Sequence, residues 1–223
     1  MKRIWLLIVS CILILAAIII VVGEADERHQ VQQSVDVIRD YDNTDSSTHT
    51  TSDKHPKVVP PGITGWITIE DTLIDYPIVQ GSDNDFYQSH DYNGDDNTLG
   101  AIFMDYRNAS DCSDAYTLIY GHNGINHFMF SDLKYLMKYP NKEVTISMYK
   151  SNIYEEKYKV VAVSTIDELS AIYDLCDYDV MVAEIRDNST YYESFTDSKV
   201  ILLSTCYGRA GTNKRLVVVL KRL

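Results

Sequence analysis

Short apolar runs of β-strand type recur through the chain from residue 65 onward, and turn residues separate them. Runs of roughly four to eight residues that are rich in Val, Ile and Tyr and bounded by Gly, Pro, Asn or Asp indicate strands. There are eight such runs: Trp66–Ile69, Asp75–Val79, Gly100–Met104, Tyr116–Gly121, Glu143–Tyr149, Tyr158–Thr165, Val200–Thr205 and Arg215–Arg222. Their spacing argues against alternating strand–helix units and predicts a mainly-β domain, an antiparallel barrel or sandwich.

Two segments carry helical signals. Ser131–Tyr139 begins with a Ser-Asp cap and ends before Pro140, which cannot continue a helix. Tyr178–Ser189 occupies the long interval between the sixth and seventh predicted strands. We therefore expect a few short helices beside the sheet, and no separate helical layer.

The N-terminus has a different character from the rest of the chain. Ile4–Val22 contains no charged residue, and its length nearly matches a hydrocarbon core of about 30 Å. Lys2 and Arg3 precede this span and acidic residues follow it, which places the N-terminus in the cytoplasm and the remainder outside. A cleaved signal peptide is the alternative, although its apolar region is normally shorter. We expect a single-pass anchor over residues 4–22 after a cytoplasmic tail, residues 1–3.

The segment between the predicted anchor and the β-type runs, residues 23–61, is mostly polar. Asp26–Tyr41 has apolar residues at helical spacing, which indicates a short amphipathic juxtamembrane helix. Asp42–Lys57 is rich in Ser, Thr and Asp and nearly free of apolar residues, as is typical of a linker. The folded domain is therefore expected to span residues 62–223.

Charge and cysteine content exclude several functions. The chain has a net charge of −12, and all of its Asp and Glu residues lie beyond the predicted anchor. An acidic surface of this kind disfavours binding to nucleic acid or docking on anionic lipid. Three cysteines lie outside the anchor, Cys112, Cys176 and Cys206, so at least one is free or paired with another chain. Their spacing matches no zinc motif.

Cys206 stands at the point where the run Val200–Thr205 passes into a loop that contains Gly208 and Arg209. A cysteine inside a strand is usually a small apolar core residue. A thiol at the end of a strand can instead be a nucleophile, provided that a proton carrier and an oxyanion donor lie near it. The other end-of-strand residues decide between these two interpretations.

Two residues have the right placement to assist Cys206. His122 follows the run Tyr116–Gly121, so it also leaves the end of a buried strand, and two such ends can meet at one rim of a barrel. Arg215 opens the last run and returns beside Cys206 if the last two strands are antiparallel neighbours. Arg209 and Lys214 are rivals for the same cationic role. Cys206, His122 and Arg215 together form a candidate catalytic constellation.

The same residues carry a family resemblance. LSTC followed by a loop and RLVVV resembles the TLxTC-plus-arginine signature of sortases, and TLIYGHN resembles their catalytic histidine segment. Gly65–Asn108 is similar to the N-terminal strands of class B sortases, and the similarity as a whole covers residues 62 to 223. The chain departs from the signature at Leu202, where the family pattern has Thr.

The resemblance implies an eight-stranded sortase barrel and cysteine transpeptidation, with neither a metal nor an organic cofactor. By position, Cys206 corresponds to the nucleophile, His122 to the acid/base and Arg215 to the oxyanion-stabilising arginine. In this family a sorting motif near the C-terminus of a secreted protein is cut after its Thr, and the Thr carbonyl is joined to a cell-wall amine. The implied partners are secreted proteins that carry such a motif, and peptidoglycan or its lipid-linked precursor.

Five residues are candidates for substrate binding. Ser204 and Thr205 lie next to the thiol in the sequence and are expected to line the groove. Asn97, Leu99 and Tyr192 are included because class B sortases use the corresponding loops.

Two other functions fit the same sequence. A cysteine hydrolase could release wall-linked peptides with the same three catalytic residues, and a membrane-tethered binding module could use Cys206 only as a core residue. Product analysis with and without an amine separates transpeptidase from hydrolase, and a thiol-directed reagent separates a nucleophile from a core cysteine.

Overall fold

The computed structural model describes residue 14 and residues 62–124, 127–140, 142–148, 154–195, 199–208 and 212–223. The chain divides into two compact units, residues 1–56 and 57–223, and every strand and helix with described bounds belongs to the second. The expected anchor, juxtamembrane helix and linker lie outside the described residues, apart from Ile14. Within the described residues, no helix has the length and apolar character needed to span a bilayer.

The described part of the chain contains nine strands in one sheet: β1 (Ile63–Ile69), β2 (Asp75–Gln80), β3 (Ile102–Met104), β4 (Tyr116–Tyr120), β5 (Glu143–Met148), β6 (Tyr154–Asp167), β7 (Ser189–Tyr192), β8 (Val200–Cys206) and β9 (Lys214–Arg222). The helices are α1 (Leu133–Leu136) and α2 (Tyr178–Asp187), with short 3₁₀ turns at Phe86–Gln88 and Ala171–Asp174.

Eight of the strands close into a barrel. Their order is β5–β1–β2–β3–β4–β8–β9–β6, and a pairing between β5 and β6 completes the ring. The 14-residue strand β6 makes this closure possible, because its first half pairs with β5 while its second half pairs with β7. β7 is therefore a ninth strand attached to the barrel and not a member of the ring.

The eight predicted strands are all present, and of the two predicted architectures, an antiparallel barrel or a sandwich, they form the barrel, but the sheet is not antiparallel throughout. β2 and β3 are parallel, and so are β4 and β8. Parallel neighbours need a long crossover connection, and the chain between β4 and β8 includes α1, β5, β6, α2 and β7. This parallel pair matters for function, because it brings the ends of β4 and β8 to the same rim.

Helix α2 covers the outside of the barrel. Its buried residues Met181 and Ile185 pack in one apolar cluster with Leu202 of β8 and Val217 of β9. Alternate residues of a strand face opposite sides of a sheet, so Leu203, which is also fully buried, faces the barrel interior. β8 is thus buried on both faces up to Thr205, and its last residue stands on a rigid support.

Helix α1 is shorter than the predicted segment Ser131–Tyr139, whereas α2 ends within two residues of the predicted end. Within α1, only Leu133 and Leu136 are buried, while Tyr139, just before Pro140, is 41% exposed. One turn of apolar contact is too little to hold a longer helix in place.

Candidate active site

The parallel pairing of β4 and β8 sets His122 beside the end of β8. Tyr120 is the register partner of Ser204, and the backbone N–H of Gly121 donates to the carbonyl of Ser204 at 3.2 Å. His122 follows Gly121, and Cys206 follows two residues after Ser204. The two strand ends that the sequence singled out therefore do meet at one rim of the barrel.

The antiparallel pairing of β8 and β9 brings Arg215 to the same place. Cys206 and Arg215 are direct cross-strand partners, the last pair of a ladder that begins at Val200 and Lys221. Directly opposite residues have Cβ atoms about 5 Å apart. Lys214, the second cation considered, lies one residue further from the ladder and is exposed, and Arg209 lies outside the described residues.

A cleft of about 410 Å³ opens at this rim. The side chain of Cys206 is exposed there, His122 and Arg215 are half-buried, and Ser204 and Thr205 are buried in its wall. The remaining lining residues are Asn84, Gln88, Phe103, Tyr120, Gly121, Glu168, Leu169 and Tyr173. One surface thus carries a reachable thiol, an imidazole and a guanidinium.

The ring of His122 is held by a backbone carbonyl from a distant part of the chain. Its Nε2 lies 2.8 Å from the backbone carbonyl oxygen of Gln88. A carbonyl oxygen can only accept a hydrogen bond, so Nε2 carries a proton and donates it. Nδ1 is then the nitrogen that gains or loses a proton, and the 3₁₀ turn Phe86–Gln88 decides which way the ring faces.

Arg215 pairs with an acidic residue that no sequence pattern indicated. Its Nη2 donates to Oε2 of Glu168 at 2.6 Å. Glu168 follows the end of β6, which pairs with β9, so the contact depends on strand register. A register between strands about fifty residues apart leaves no local signal in the sequence.

Tyr173 forms part of the cleft wall next to the thiol. Its hydroxyl lies 2.8 Å from Oγ of Ser204, and its backbone carbonyl accepts a hydrogen bond from Nη2 of Arg107 at 2.6 Å. Burial raises the pKa of Tyr173 to about 12, so the hydroxyl remains protonated at neutral pH. Tyr173 is one of 17 tyrosines in the chain, and composition alone could not distinguish it.

A buried carboxylate binds two of the residues that line the cleft, Asn84 and Tyr120. Asp105 has no exposed surface, and its oxygens accept hydrogen bonds from Nε and Nη2 of Arg107 at 2.9 and 2.7 Å. Asn84 and the hydroxyl of Tyr120 also donate to it, each at 2.9 Å. Burial alone would raise the pKa of Asp105, but the hydrogen bonds from Arg107, Asn84 and Tyr120 outweigh that effect and hold it below its ordinary value.

Three of the candidate substrate-binding residues lie away from the described cleft wall. Asn97 is buried and shapes its own loop, with its Oδ1 accepting from the N–H of half-buried Leu99 at 2.9 Å. Tyr192 packs against the cluster beneath α2, with its ring 5.7 Å from that of Phe195. Among the described residues, these three do not line the cleft, whereas Ser204 and Thr205 do.

The other described cysteines are not part of this cleft. Cys112 is half-buried near a second, smaller cavity at Glu156 and Arg222, and Cys176 lies 3.8 Å from the hydroxyl of Tyr116. Within the described residues, none of the three cysteines forms a disulfide bond. Within the described ranges, no group of three or more His, Cys, Asp or Glu side chains is arranged to hold a metal ion.

Comparison with known proteins agrees with this geometry. The family model described as the sortase domain matches residues 67–223. Sortase B of Listeria monocytogenes is 33% identical over 171 residues, which cover 71% of this chain and 68% of that protein. The crystal structure of sortase B from Clostridium perfringens matches with a TM-score of 0.62 at 27% identity and covers 73% of this chain and 94% of that one. A class B sortase of Streptococcus pyogenes involved in pilus biogenesis matches with a TM-score of 0.62 at 28% identity, over 71% and 91% of the two chains.

The barrel and the cleft are those of a cysteine transpeptidase, and the chain belongs to the sortase family. The relatives and structural neighbours are class B sortases, so the class predicted from the sequence is confirmed. The alternative of a binding module without activity is set aside, because sortases are enzymes.

Proposed function

We propose that this chain cleaves a sorting motif near the C-terminus of secreted proteins after its Thr and joins the Thr carbonyl to a peptidoglycan amine. The observation that carries the proposal is the convergence of Cys206, His122 and Arg215 on one cleft. A thiol, an imidazole and a guanidinium supply the nucleophile, the proton carrier and the oxyanion donor that acyl transfer through a thioester requires.

In the first step, the thiolate of Cys206 attacks the carbonyl carbon of the Thr, and a tetrahedral adduct with an oxyanion forms. The C–N bond then breaks, and Nδ1 of the His122 imidazolium gives its proton to the leaving amine. The hydrogen bond from Nε2 to Gln88 supports this assignment, because it occupies the other ring nitrogen. The step leaves a thioester on Cys206, a free C-terminal fragment and a neutral imidazole.

Arg215 stabilises the oxyanion of the adduct. It is the cross-strand neighbour of Cys206, so its guanidinium lies close to the atoms that react with the thiol. A guanidinium keeps its charge at every stage of the reaction and presents several N–H donors in one plane. Removal of one oxyanion donor typically lowers the rate by a factor of about 10² to 10³.

In the second step, an amine of the cell wall attacks the thioester carbonyl. Neutral His122 accepts a proton from the amine at Nδ1, the C–S bond breaks, and the thiolate of Cys206 is restored. The product is an amide between the Thr carbonyl and the wall amine, and the imidazolium is ready for the next cycle. Limited access of water to the thioester favours the amine over hydrolysis.

The substrate motif is proposed to bind along the wall that β8 and the loop after β6 form. Ser204 and Thr205 lie in this wall, and the Ser204 hydroxyl is already paired with that of Tyr173. Leu169 projects beside them with 83% of its surface exposed. An apolar side chain left in water at the edge of a cleft is suited to an apolar contact with a bound peptide.

The enzyme is proposed to act on the outer face of the cell membrane. The apolar span of residues 4–22, with Lys2 and Arg3 before it, supports a single-pass anchor with a cytoplasmic N-terminus. The catalytic domain would then meet secreted proteins as they emerge, and peptidoglycan or its lipid-linked precursor would supply the amine. None of the proposed steps needs a metal or an organic cofactor.

Intact-mass spectrometry of the full-length enzyme in detergent tests the reaction. The enzyme is mixed with a small set of sorting-motif peptides, including motifs with Thr-Asn and with Thr-Gly at the cleaved bond, with and without an added amine. We expect a mass gain at Cys206 equal to the N-terminal fragment of the peptide, and transfer of that fragment to the amine.

The variants Cys206→Ala and Cys112→Ala are the matched controls, because both remove one thiol from the described domain. Cys206→Ala should form no adduct, and Cys112→Ala should behave like the wild type. An adduct that yields only free acid at saturating amine would favour the hydrolase instead. Adduct formation by Cys206→Ala would contradict the assignment of the nucleophile.

A further inference from the structure

A carboxylate lies against the guanidinium that the proposed mechanism uses. Nη2 of Arg215 donates to Oε2 of Glu168 at 2.6 Å, and Nη1 donates to the backbone carbonyl of Lys214 at 3.3 Å. The side chains of Glu168 and Arg215 are 33% and 26% exposed, and both line the cleft. Among the described residues of the cleft wall, Glu168 is the one acidic residue.

The backbone of Glu168 is held in a position from which its side chain reaches Arg215. Ile166 of β6 is the cross-strand partner of Arg215, and Glu168 follows it two residues later. The N–H of Glu168 donates to the carbonyl of Asn213 at 2.7 Å, which extends the β6–β9 contact beyond the last strand pair. Residues two apart on an extended chain project to the same side, so the carboxylate crosses diagonally to the arginine.

The other end of the same two strands carries a matching ion pair. Arg222 of β9 is the cross-strand partner of Tyr158 on β6, and it pairs at 2.8 Å with Glu156, two residues away from Tyr158. The diagonal relation is the same as that between Arg215 and Glu168. The pair at Arg222 is at the end of the ladder away from Cys206, and it provides an internal comparison.

The ion pair at Glu168 can orient Arg215 more than it can stabilise the fold. A partly exposed ion pair contributes little to stability, because water and salt screen it. Its geometric effect is larger, because an arginine side chain has many rotamers and a carboxylate partner selects among them. The described contacts engage only two of the five N–H donors of Arg215, so donors remain for an oxyanion.

We infer that Glu168 is a positioning residue that holds the Arg215 guanidinium toward the oxyanion formed at Cys206. The inference rests on the proposed function, since it assumes that Arg215 is the oxyanion donor. Glu168 touches neither the substrate carbonyl nor the thiol in this role. Its effect on the rate passes entirely through Arg215.

A double-mutant cycle measures this dependence. The rate of transpeptidation is determined for the full-length enzyme and for Glu168→Ala, Glu168→Gln, Arg215→Ala and the double variant Glu168→Ala/Arg215→Ala. We expect Glu168→Ala to lower kcat by about tenfold with KM within about twofold, because orientation is lost and binding is not. Glu168→Gln keeps a hydrogen-bond acceptor and should recover part of that loss. In the Arg215→Ala background, Glu168→Ala should change the rate less than about twofold.

Glu156→Ala is the control, since it breaks the corresponding diagonal ion pair at the other end of β6 and β9, together with a hydrogen bond from the hydroxyl of Tyr158. It should leave kcat within about twofold of the wild type, and the melting temperature of each variant shows whether the fold is intact. A full loss of rate from Glu168→Ala in the Arg215→Ala background, or no loss in the wild type, would overturn the inference while the proposed function stands. A normal rate for Arg215→Ala would instead remove the proposed role of Arg215, and with it the inference.

Discussion

Cys206, the last residue of β8, is the direct cross-strand partner of Arg215 on β9. Strand pairing alone sets this relation, so it does not depend on the conformation of the loop that joins the two strands. The ladder continues inward through five buried residues of β9, Leu216–Leu220. The thiol and the guanidinium therefore stand on the same rigid support, and their separation is not expected to vary as substrate binds.

Because Arg215 is held beside Cys206, a substitution there can test whether the reaction needs a guanidinium or only a positive charge. Arg215→Lys keeps a positive charge but replaces a planar fork of donors with a single ammonium. We expect the rate constant of acyl-enzyme formation to fall by about 10- to 100-fold. Arg222→Lys makes the same change at the other end of β9 and should leave the rate nearly unchanged. A normal rate for Arg215→Lys would show that charge alone suffices, or that another cation takes the role.

His122 is the proton carrier of the proposed mechanism, so its removal should affect both steps. For His122→Ala we expect the rate of thioester formation to fall by at least about 10²-fold. Stopped-flow or quenched mass measurements determine this rate. His127→Ala is the control, because His127 does not line the described cleft and pairs instead with Asp132 at 2.5 Å. Equal losses from the two variants would indicate damage to the shared loop instead of loss of a proton carrier.

The cysteines should differ sharply in their reactivity. Cys206 is exposed in the cleft, whereas burial raises the pKa of the Cys112 thiol to about 12. Only the thiolate reacts with alkylating reagents, so at pH 7.5 iodoacetamide should label Cys206 first and Cys112 only after denaturation. Peptide mapping by mass spectrometry gives the extent of labelling at each site. Faster labelling of Cys112 than of Cys206 would contradict the view that Cys206 is the accessible nucleophile.

Asp105 should make stability depend on pH in the acid range. Burial acts to raise the pKa of Asp105, but the hydrogen bonds that its carboxylate accepts hold the pKa below the ordinary value of 3.8 in the folded protein. A group with a lowered folded pKa stabilises the fold above its unfolded pKa and loses that effect as the pH falls through the folded value. The stability difference between wild type and Asp105→Asn, on the order of 2–4 kcal/mol at neutral pH, should therefore shrink below about pH 4.

Urea unfolding at several pH values measures this difference for Asp105. Asp187→Asn removes the same charge from an exposed side chain, which pairs only with neighbouring Arg186 in the described contacts, and it should cost less than about 1 kcal/mol at any pH. A difference for Asp105→Asn that stays constant down to pH 2 would refute the stabilising role of the ionised carboxylate.

Gly100 should be required for the position of His122. Its φ is +59°, and a Cβ at this position would overlap the carbonyl oxygens of Tyr87 and Gln88. The Gln88 carbonyl holds Nε2 of His122, so Gly100→Ala should lower both stability and kcat, the latter by about tenfold or more. This contact also suggests how the Asn97–Gly100 turn can influence the reaction without lining the cleft.

Gly94→Ala is a close control for Gly100→Ala. Gly94 lies in the same loop with φ at +87°, but its Cβ would meet only the ring of Phe86 at 3.8 Å. This variant should cost about 1–2 kcal/mol in stability, since an L-residue is strained at this φ, and leave kcat near normal. Thermal unfolding and peptide turnover, measured on both variants, separate the general cost of the conformation from displacement of the Gln88 carbonyl.

The strands differ in how well the sequence predicts them. Long apolar runs such as those of β8 and β9 were predicted with nearly correct bounds, because burial on both faces requires continuous hydrophobic residues. The four-residue strand β7 was missed, since Ser189–Tyr192 is polar and none of its residues is fully buried. It depends on its pairing with β6 and on no pattern of its own.

The candidate site shows the same contrast. Cys206 and His122 could be found because each ends an apolar run, and Arg215 because a hairpin returns it to Cys206. Glu168 and Gln88 could not, because one acts across a strand register and the other through a backbone carbonyl. Asn97, Leu99 and Tyr192 were chosen by resemblance of loops, and loop residues take their positions from contacts that vary between relatives.

The sequence by itself determined the number and place of the barrel strands, the positions of Cys206 and His122 at strand ends, and the family to which the chain belongs. These features are local, because hydrophobic periodicity and short motifs express the burial of each segment. The tertiary structure alone decided that β4 and β8 are parallel, that β5 and β6 close the barrel, and that Glu168 and Gln88 hold the side chains of Arg215 and His122. Those relations arise from the pairing of segments that are distant in the sequence. The free energy that selects one register over another comes from side-chain packing throughout the folded domain.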